Sequence, residues 1–216
     1  MLATEQSIRR STLGPWVWSA LACVVLAGLS ILLLDRPIAS FSHEHFHGIW
    51  IFIRFIQIPE VFFPIAALVF AGVAVAVARG RQVGSIGDTL LRCSLSLVAA
   101  AAVKDQLKYV FGRTWPETWI NNNPSFIGTG TYEFAPFHGG VAYASFPSGH
   151  ITAMCAVMAV LWLRWPRFRW LYGFLVALVV VGFLGADYHW LSDIIAGGFL
   201  GTAAGVTAAG IGRRDA

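Results

Sequence analysis

The segment Ser145-Phe146-Pro147-Ser148-Gly149-His150 marks the point at which a polar loop gives way to a long apolar stretch. Pro147 suits the first position of a helix, where its missing N–H is no loss. Gly149 leaves backbone amides accessible to an anion, and a helix N-terminus carries unpaired N–H groups and the positive end of a dipole. The segment therefore predicts a phosphate-binding helix start with a proton-transfer group, His150, beside it. The alternative is an ordinary helix start at a membrane interface.

The composition around this segment is that of an integral membrane protein. Of 216 residues, 57% are hydrophobic and 12% charged, and the mean hydropathy is +0.68, which excludes an ordinary soluble domain. The net charge of +4 comes from arginines that flank apolar runs, so it indicates membrane topology and not a nucleic-acid surface. Three cysteines lie in apolar runs without metal-ligand spacing, so neither disulfides nor a zinc site is predicted: Cys23, Cys93 and Cys155.

Hydropathy predicts an all-α protein with six transmembrane helices in one bundle, forming a single membrane domain over residues 1–216. The predicted spans are about 16–34, 61–78, 86–110, 148–165, 170–186 and 191–211, with an outer loop at 111–147. Pro37 predicts the end of the first span, where Asp35 and Arg36 would mark the membrane surface. Residues 35–48 are then expected to form a polar loop, and 49–58 a short helix at the interface.

The arginines favour one side of the membrane. They flank the predicted spans at Arg9, Arg10, Arg79, Arg81, Arg164, Arg167, Arg169, Arg213 and Arg214. By the positive-inside rule both termini are predicted to be cytoplasmic, and residues 111–147 to face outward. Within the third span, Asp88 and Arg92 stand at i,i+4 and are expected to pair with each other. Arg9-Arg10 before an apolar run of membrane-spanning length, with no small-residue cleavage site after it, predicts a signal anchor.

Alternating histidines occur in the predicted loop 35–48. His43, His45 and His47 follow one another at the period of a strand, and alternating histidines can bind a metal. No second ligand cluster stands near them in the sequence, so an interfacial loop is the favoured interpretation. The sequence therefore predicts no metal site and no cofactor.

A second histidine stands close to a carboxylate at the predicted outer face. His189 and Asp193 are at i,i+4 and so share a helix face. A carboxylate held against one imidazole nitrogen fixes the tautomer and raises the nucleophilicity of the other nitrogen. We expect His189 to attack phosphorus and His150 to protonate the leaving oxygen, while lysine and backbone amides neutralise charge on the phosphate.

These residues resemble the type 2 phosphatidic acid phosphatase superfamily, whose membrane members are six-helix lipid phosphate phosphatases. Its pattern is K-x6-R-P, then P-S-G-H, then S-R-x5-H-x3-D. Pro147 to His150 match the second part fully, and His189 and Asp193 match the end of the third. Lys108 matches the lysine of the first part, because six residues separate it from Trp115-Pro116. The resemblance implies that His189 forms a phosphohistidine, that His150 is the general acid and that Asp193 orients His189.

The chain departs from that pattern at both phosphate-clamping arginines. Trp115 stands at the first arginine position, and Gly182-Phe183 replaces Ser-Arg in the third part. Lysine does not reproduce the bidentate geometry of arginine on phosphate, so other groups must compensate. The predicted phosphate ligands are Lys108 and the helix start at Ser148 and Gly149. The predicted replacements are Arg113, then Lys104, then His138. Asp187, two residues before His189, would repel phosphate unless it binds a cationic group or a substrate hydroxyl.

The sequence thus predicts a metal-independent phosphatase of a membrane lipid in a bacterial inner membrane, acting on the periplasmic side. Its expected partners are the phosphorylated lipid and the bilayer, and the oligomeric state is not predicted. A lipid-linked phosphotransferase using the same histidines is a close alternative, with Asn121, Asn122, Asn123 and Glu133 as residues able to hydrogen-bond sugars. A non-catalytic lipid-phosphate binding or transport protein is the alternative of another class.

Overall fold

The computed structural model describes the backbone of residues 2–211 and the side chains of residues 14–211. Its α-helices are α1 (Leu2–Leu29), α2 (Asp35–Phe46), α3 (Trp50–Ile56), α4 (Phe62–Ala78), α5 (Ser85–Phe111), α6 (Phe126–Thr129), α7 (Gly149–Arg164), α8 (Arg169–Gly185) and α9 (Leu191–Gly210). Across residues 2–211, extended pairing is limited to isolated bridges at Arg113 and Trp115. The prediction of an all-helical protein is confirmed.

Five stretches of the described chain are long and apolar enough to cross a membrane, one fewer than predicted. They are Gly14–Phe46, Trp50–Ala78, Ser85–Phe111, Pro166–Gly185 and Leu191–Gly210. The predicted fourth span corresponds to α7, whose 16 residues extend roughly 24 Å, less than the ~30 Å hydrocarbon core. A sixth span through α7 therefore stays a prediction. The basic residues of the two ends, Arg9, Arg10, Arg213 and Arg214, lie outside the residues whose side chains are described.

The first helical stretch does not end before Pro37, and the prediction of a loop over residues 35–48 is wrong. A π-helical turn, Ser30–Leu34, joins α1 directly to α2, and the Asp35 N–H bonds to the Ser30 carbonyl. The wider turn alters the hydrogen-bond register just ahead of the proline. Pro37 then falls in the first turn of α2, where a missing N–H is tolerated. His43 and His45 consequently lie on this helix, and His47 directly follows it.

The charged residues within α5 separate to its two ends. Near its start, Arg92 Nε donates to Asp88 Oδ2 at 2.8 Å, as predicted, and Arg164 Nη2 donates to the same oxygen at 2.7 Å. Near its end lie the two lysines, Lys104 and Lys108. The 16 residues from Asp88 to Lys104 span roughly 24 Å of helix. The lysines are therefore at the opposite end of the bundle from this ion-pair group.

Close packing of α7 against α9 sets the geometry of the lysine-bearing end. Gly197, Gly201 and Gly205 follow one another at i,i+4 on α9, and a Cβ at any of them would collide with the backbone of α7. Small residues at this spacing let two membrane helices approach each other closely. The approach brings the start of α7 beside the start of α9, where Ser148 N donates to the Asp193 carbonyl at 3.1 Å.

Candidate active site

The two predicted catalytic histidines line the same cavity. His150 is the second residue of α7, and His189 lies in the short loop between α8 and α9. The cavity has a volume of about 330 Å³. The buried ring of Phe183 contacts both imidazoles, with its centroid 5.3 Å from that of His150 and 5.0 Å from that of His189. The structure therefore brings together two histidines that are 39 positions apart in the sequence.

Asp193 binds His189 as the i,i+4 spacing predicts. Its Oδ2 lies 3.0 Å from His189 Nδ1 and also accepts from Ser145 Oγ at 2.5 Å. The same oxygen accepts from Trp190 N at 3.2 Å, so Asp193 caps α9 while it holds the histidine. With Nδ1 committed to the carboxylate, the Nε2 atom of His189 keeps the lone pair of the neutral ring.

His189 is buried, and burial determines its charge. Desolvation lowers the pKa of His189 to about 4, although the hydrogen bond and the charge of Asp193 act in the opposite direction. A neutral imidazole is the form that can attack phosphorus. The site therefore keeps this histidine in its nucleophilic form at neutral pH.

Arg113 lies behind Asp193 and not at the cavity wall. Its Nη1 donates to Asp193 Oδ1 at 2.6 Å, and its Nη2 donates to Asp35 Oδ2 at 2.6 Å. Ser192 Oγ and the Tyr132 hydroxyl accept further bonds from the guanidinium. The side chain is 1% exposed, so the role of phosphate ligand predicted for it does not fit its position. Its position fits that of a residue that orients Asp193.

Asp35 is a site residue that the sequence analysis missed. It was predicted to mark the membrane surface, yet its side chain is 0% exposed. It accepts from Arg113, and also from Ser192 through both the backbone N–H at 3.0 Å and the hydroxyl at 2.5 Å. A buried carboxylate requires a paired cation and satisfied oxygens, and Asp35 has both. The sequence carries no local signal for this ion pair, because Arg113 lies 78 positions away. The Ser30 hydroxyl, five positions before Asp35, also donates to its Oδ1 at 2.7 Å.

Two lysines supply the positive charge of the cavity. Lys104 and Lys108 both line it, and in the described part of the chain no arginine does. Lys108 Nζ donates to the Ala144 carbonyl and lies 5.5 Å from the centroid of the Trp115 ring. Lys104 Nζ lies 2.6 Å from Asp105 Oδ1. Both predicted lysine ligands thus line the cavity, and each also contacts another residue that holds its side chain in place.

The predicted phosphate-binding helix start is only partly available. The Ser148 N–H is already used by the Asp193 carbonyl. The Ser148 hydroxyl is buried and has no hydrogen-bond partner among the described residues. Gly149 lines the cavity, and as the first residue of α7 its N–H has no acceptor within the helix. Of the two predicted amides, that of Gly149 is placed to receive an anion.

Aromatic rings occupy both positions where the resemblance calls for arginine. The Trp115 ring lies 5.0 Å from the His189 ring on one side, and Phe183 lies 5.0 Å from it on the other. Serine at position 182 is also excluded, because a Cβ there would meet the side chain of Phe55 on α3. His138, the third predicted replacement, packs against Tyr143 with the two rings tilted and their centroids 4.2 Å apart, and it does not line the cavity.

Glu60 is a second residue that the sequence analysis missed. It lies in the 3-10 turn before α4 and lines the cavity. Its Oε1 is 3.7 Å from His150 Nε2. Burial lowers the pKa of His150, and the charge of Glu60 acts in the opposite direction, towards the protonated form that a general acid needs. Its side chain is 58% exposed, so it stands at the open side of the cavity.

Residues 89–214 match the model of the PAP2 superfamily. The chain is also 31% identical to a lipid A 1-phosphatase of Rhizobium johnstonii over 207 residues, which cover 88% of this chain and 79% of that protein. The chain belongs to the PAP2 superfamily. A lipid A 1-phosphatase of Rhizobium etli is 34% identical over 106 residues, which cover 47% of this chain and 41% of that protein.

The fold of this PAP2 member is also found among solved structures. The crystal structure of a transmembrane PAP2-type phosphatidylglycerolphosphate phosphatase from Bacillus subtilis aligns with a TM-score of 0.53 and 17% identity, covering 90% of this chain and 94% of the other. The family predicted from the histidine motifs is confirmed. With five apolar helices of spanning length, the chain is a multi-pass membrane protein.

Proposed function

We propose that this protein removes a terminal phosphate from a membrane lipid through a phosphohistidine on His189. The observation that carries the proposal is the convergence of four groups on one cavity: the His189–Asp193 pair, His150, Lys104 and Lys108. A protein that only binds lipid phosphates has no need of a neutral, buried histidine oriented by a carboxylate. The similarity to lipid phosphatases supports the same function.

The reaction proceeds in two displacements. His189 Nε2 forms a bond to phosphorus, the bond from phosphorus to the lipid oxygen breaks, and protonated His150 gives its proton to that oxygen. Water then gives a proton to His150 and attacks the phosphohistidine, so that the P–N bond breaks and inorganic phosphate leaves. Asp193 accepts a hydrogen bond from Nδ1 throughout, which stabilises the positive charge that develops on the ring.

Charge on the transferring phosphoryl group is neutralised by Lys108, Lys104 and the Gly149 N–H. Electrostatic groups fixed in advance around a phosphoryl group are the largest contribution to such reactions. Lys108 corresponds to the lysine of the family pattern, so Lys104 is the predicted arginine replacement that lines the cavity. Both lysines act as point charges without bidentate geometry. Trp115 and Phe183 exclude water from the sides of the His189 ring, which strengthens each of these interactions.

The substrate class that we propose is a phosphorylated glycolipid of the lipid A type. The support is the relative from Rhizobium johnstonii, whose similarity extends over most of both chains. Sugar recognition by the predicted asparagines receives no support from Asn123. Its side chain is buried and accepts from the Trp119 and Ile120 N–H groups, so it holds the loop. Exposed Glu60 at the cavity mouth is better placed to bind a sugar hydroxyl.

We further propose that the site faces the periplasm and that both termini are cytoplasmic. The cavity lies at the lysine end of α5, whereas Arg164 pairs with Asp88 at the other end. Arg79 and Arg81 follow α4, which precedes the Asp88 end of α5. Arginines concentrated at one end of a bundle favour the cytoplasmic side. Cysteine labelling of a Glu133→Cys variant with an impermeant reagent in intact cells tests this orientation, since labelling only after lysis would reverse it.

A substrate panel with purified protein tests the function. Three labelled lipids are compared: a lipid A phosphate, a phosphatidyl phosphate and a polyprenyl diphosphate. We expect release of phosphate to be fastest from the first, with acid-labile label trapped on the protein. His189→Gln should abolish the label and lower turnover about 10⁴-fold. His138→Gln, outside the cavity, is the matched control and should retain activity.

Two outcomes of this panel would replace the proposal. If no lipid releases phosphate, no label appears and His189→Gln binds substrate as well as the parent protein, the chain is a lipid-phosphate binding protein. If label forms but passes to an added lipid acceptor faster than to water, the chain is a phosphotransferase.

A further inference from the structure

A group of four side chains outside the cavity has the composition of a metal site. It consists of His43 on α2, His47 directly after α2, Glu117 in the loop after Trp115-Pro116, and Asp187 in the loop before His189. One ligand atom from each residue can be chosen so that all four lie within 4.8 Å of one another. His43 Nδ1 is 3.1 Å from Glu117 Oε2 and 3.1 Å from Asp187 Oδ2. His47 Nδ1 is 3.5 Å from the same oxygen of Asp187.

Helix formation by residues 35–46 creates this group. In a helix, His43 and His47 stand one turn apart on the same face, and their ring centroids are 4.4 Å apart. His45, which lies between them in the sequence, is exposed and directed elsewhere. Its Nδ1 is 2.9 Å from the Phe41 carbonyl, and its ring stacks on Phe41. Of the three alternating histidines, His43 and His47 therefore lie close to carboxylates, and His45 does not.

Asp187 is the independent sign that a ligand belongs here. Its side chain is 0% exposed, and its Oδ1 atom has no hydrogen-bond partner among the described residues. Its backbone has φ of 54°, a left-handed conformation that is uncommon for residues other than glycine. An unpartnered oxygen on a buried carboxylate is destabilising, because it has lost its hydrogen bonds to water and gained none in exchange. A cation bound by both oxygens of Asp187 would supply the missing partner.

The spacing and chemistry of the donors indicate the class of ion. Ligand atoms that bind one ion at about 2.0–2.2 Å lie roughly 3–4.4 Å from one another. The separations in this group are close to that range. Two imidazoles with two carboxylates suit zinc and its transition-metal neighbours, whereas magnesium and calcium favour all-oxygen sites. We propose that His43, His47, Glu117 and Asp187 bind one divalent transition-metal ion.

The ion would tie together the segments that frame the candidate active site. Glu117 is two residues after Trp115, and Asp187 is two residues before His189. None of the four side chains lines the cavity, so the ion takes no part in phosphoryl transfer. It would fix both loops to the end of α2 and so hold the His189 ring in place. This inference does not depend on the proposed phosphatase function.

Zinc uptake by the full-length protein in detergent tests the site. The protein is stripped with a chelator, loaded with Zn²⁺ at micromolar concentration, freed of excess ion and analysed for bound metal and for its melting temperature. We expect one Zn²⁺ per chain and a melting temperature raised by ~5–10 °C at saturation. His43→Gln/His47→Gln should lose both effects, whereas His45→Gln, the matched control, should keep both.

A second pair of variants serves if the double histidine variant does not fold. Glu117→Gln should weaken Zn²⁺ binding at least 10-fold, while Glu44→Gln on the exposed face of α2 should not change it. The proposal is overturned if stripped wild type takes up no Zn²⁺ or binds Mg²⁺ as tightly. It is also overturned if Glu117→Gln binds Zn²⁺ as tightly as its control, Glu44→Gln. The same holds if the double variant His43→Gln/His47→Gln binds Zn²⁺ as tightly as its control, His45→Gln.

Discussion

Replacing Arg113 with methionine removes the cation that separates two fully buried carboxylates. Asp35 and Asp193 are each 0% exposed and 2.6 Å from a nitrogen of the guanidinium. Methionine preserves the apolar stem of the side chain but leaves both carboxylates without their charged partner. Breaking a buried ion pair by removing one member costs about 3–5 kcal/mol. At about 2–4 °C per kcal/mol for a chain of this size, the melting temperature should fall by ~6–20 °C.

The same substitution should slow catalysis without weakening substrate binding. Arg113 does not line the cavity, so it acts on His189 only by holding Asp193. Outer partners of this kind contribute about 10–100-fold, and we expect a loss of that size in kcat with KM nearly unchanged. Adding Asp35→Asn to the Arg113→Met variant removes one orphaned charge and should recover part of the lost stability.

Thermal unfolding in detergent and steady-state kinetics provide the measurements. Exposed Arg167, whose guanidinium lies 4.6 Å from the ring of Phe168, is the control, and Arg167→Met should change stability by less than about 0.5 kcal/mol. An Arg113→Met protein with an unchanged melting temperature and a raised KM would refute this reasoning. That result would instead identify Arg113 as a direct ligand of the phosphate.

Three further predictions concern the histidine, the lysines and the helix contact. Because burial lowers the pKa of His189 from 6.5 to about 4, the unfolded chain binds this proton first. The free energy of unfolding should therefore decline as pH falls from about 6.5 to about 4, and an NMR titration midpoint near 6.5 would contradict this. Lys108→Met should lower kcat/KM about 10²–10³-fold. Lys104→Met should lower it less, because Lys104 already pairs with a carboxylate. Equal losses of kcat/KM in the two variants would contradict this ranking. Gly201→Ala should destabilise the protein by ~1–3 kcal/mol in thermal unfolding, because its Cβ would meet α7. Gly72→Ala, which has open space around it, is the matched control, and equal effects of the two substitutions would show that the α7–α9 contact is not tight.

Local sequence patterns were sufficient for the class of fold and for the contact between His189 and Asp193. Apolar runs predicted the positions of the helices, because each residue makes its own contribution to the free energy of transfer into lipid and these contributions add along the segment. The i,i+4 spacing predicted contact between His189 and Asp193. The contact forms although His189 precedes α9, because the carboxylate of Asp193 caps the helix and so turns back towards the residues before it. The spacing of Asp88 and Arg92 did the same for their ion pair.

Structural features that depend on the register of backbone hydrogen bonds were predicted less well. Pro37 predicted the end of a helix, but a π-helical turn just before it let the helix continue. That single difference placed His43 and His45 on a helix and His47 directly after it, so that the rings of His43 and His47 lie beside each other. It also placed Asp35 inside the bundle, where the sequence analysis had expected the membrane surface.

The partners of charged residues were decided only by the tertiary structure. The sequence alone determined that this is a multi-helix membrane protein of the PAP2 superfamily with two histidines and a carboxylate in its motifs. It did not determine that Arg113 binds Asp35 and Asp193, or that His43 meets Asp187 across 144 positions. A charged side chain can be stable either at the membrane surface or in a buried ion pair. The residue type is the same in both cases, so the sequence does not show which environment the side chain occupies. Tertiary packing selects one of these environments by bringing charged atoms of residues distant in the sequence to within about 3 Å, and no local pattern encodes that distance.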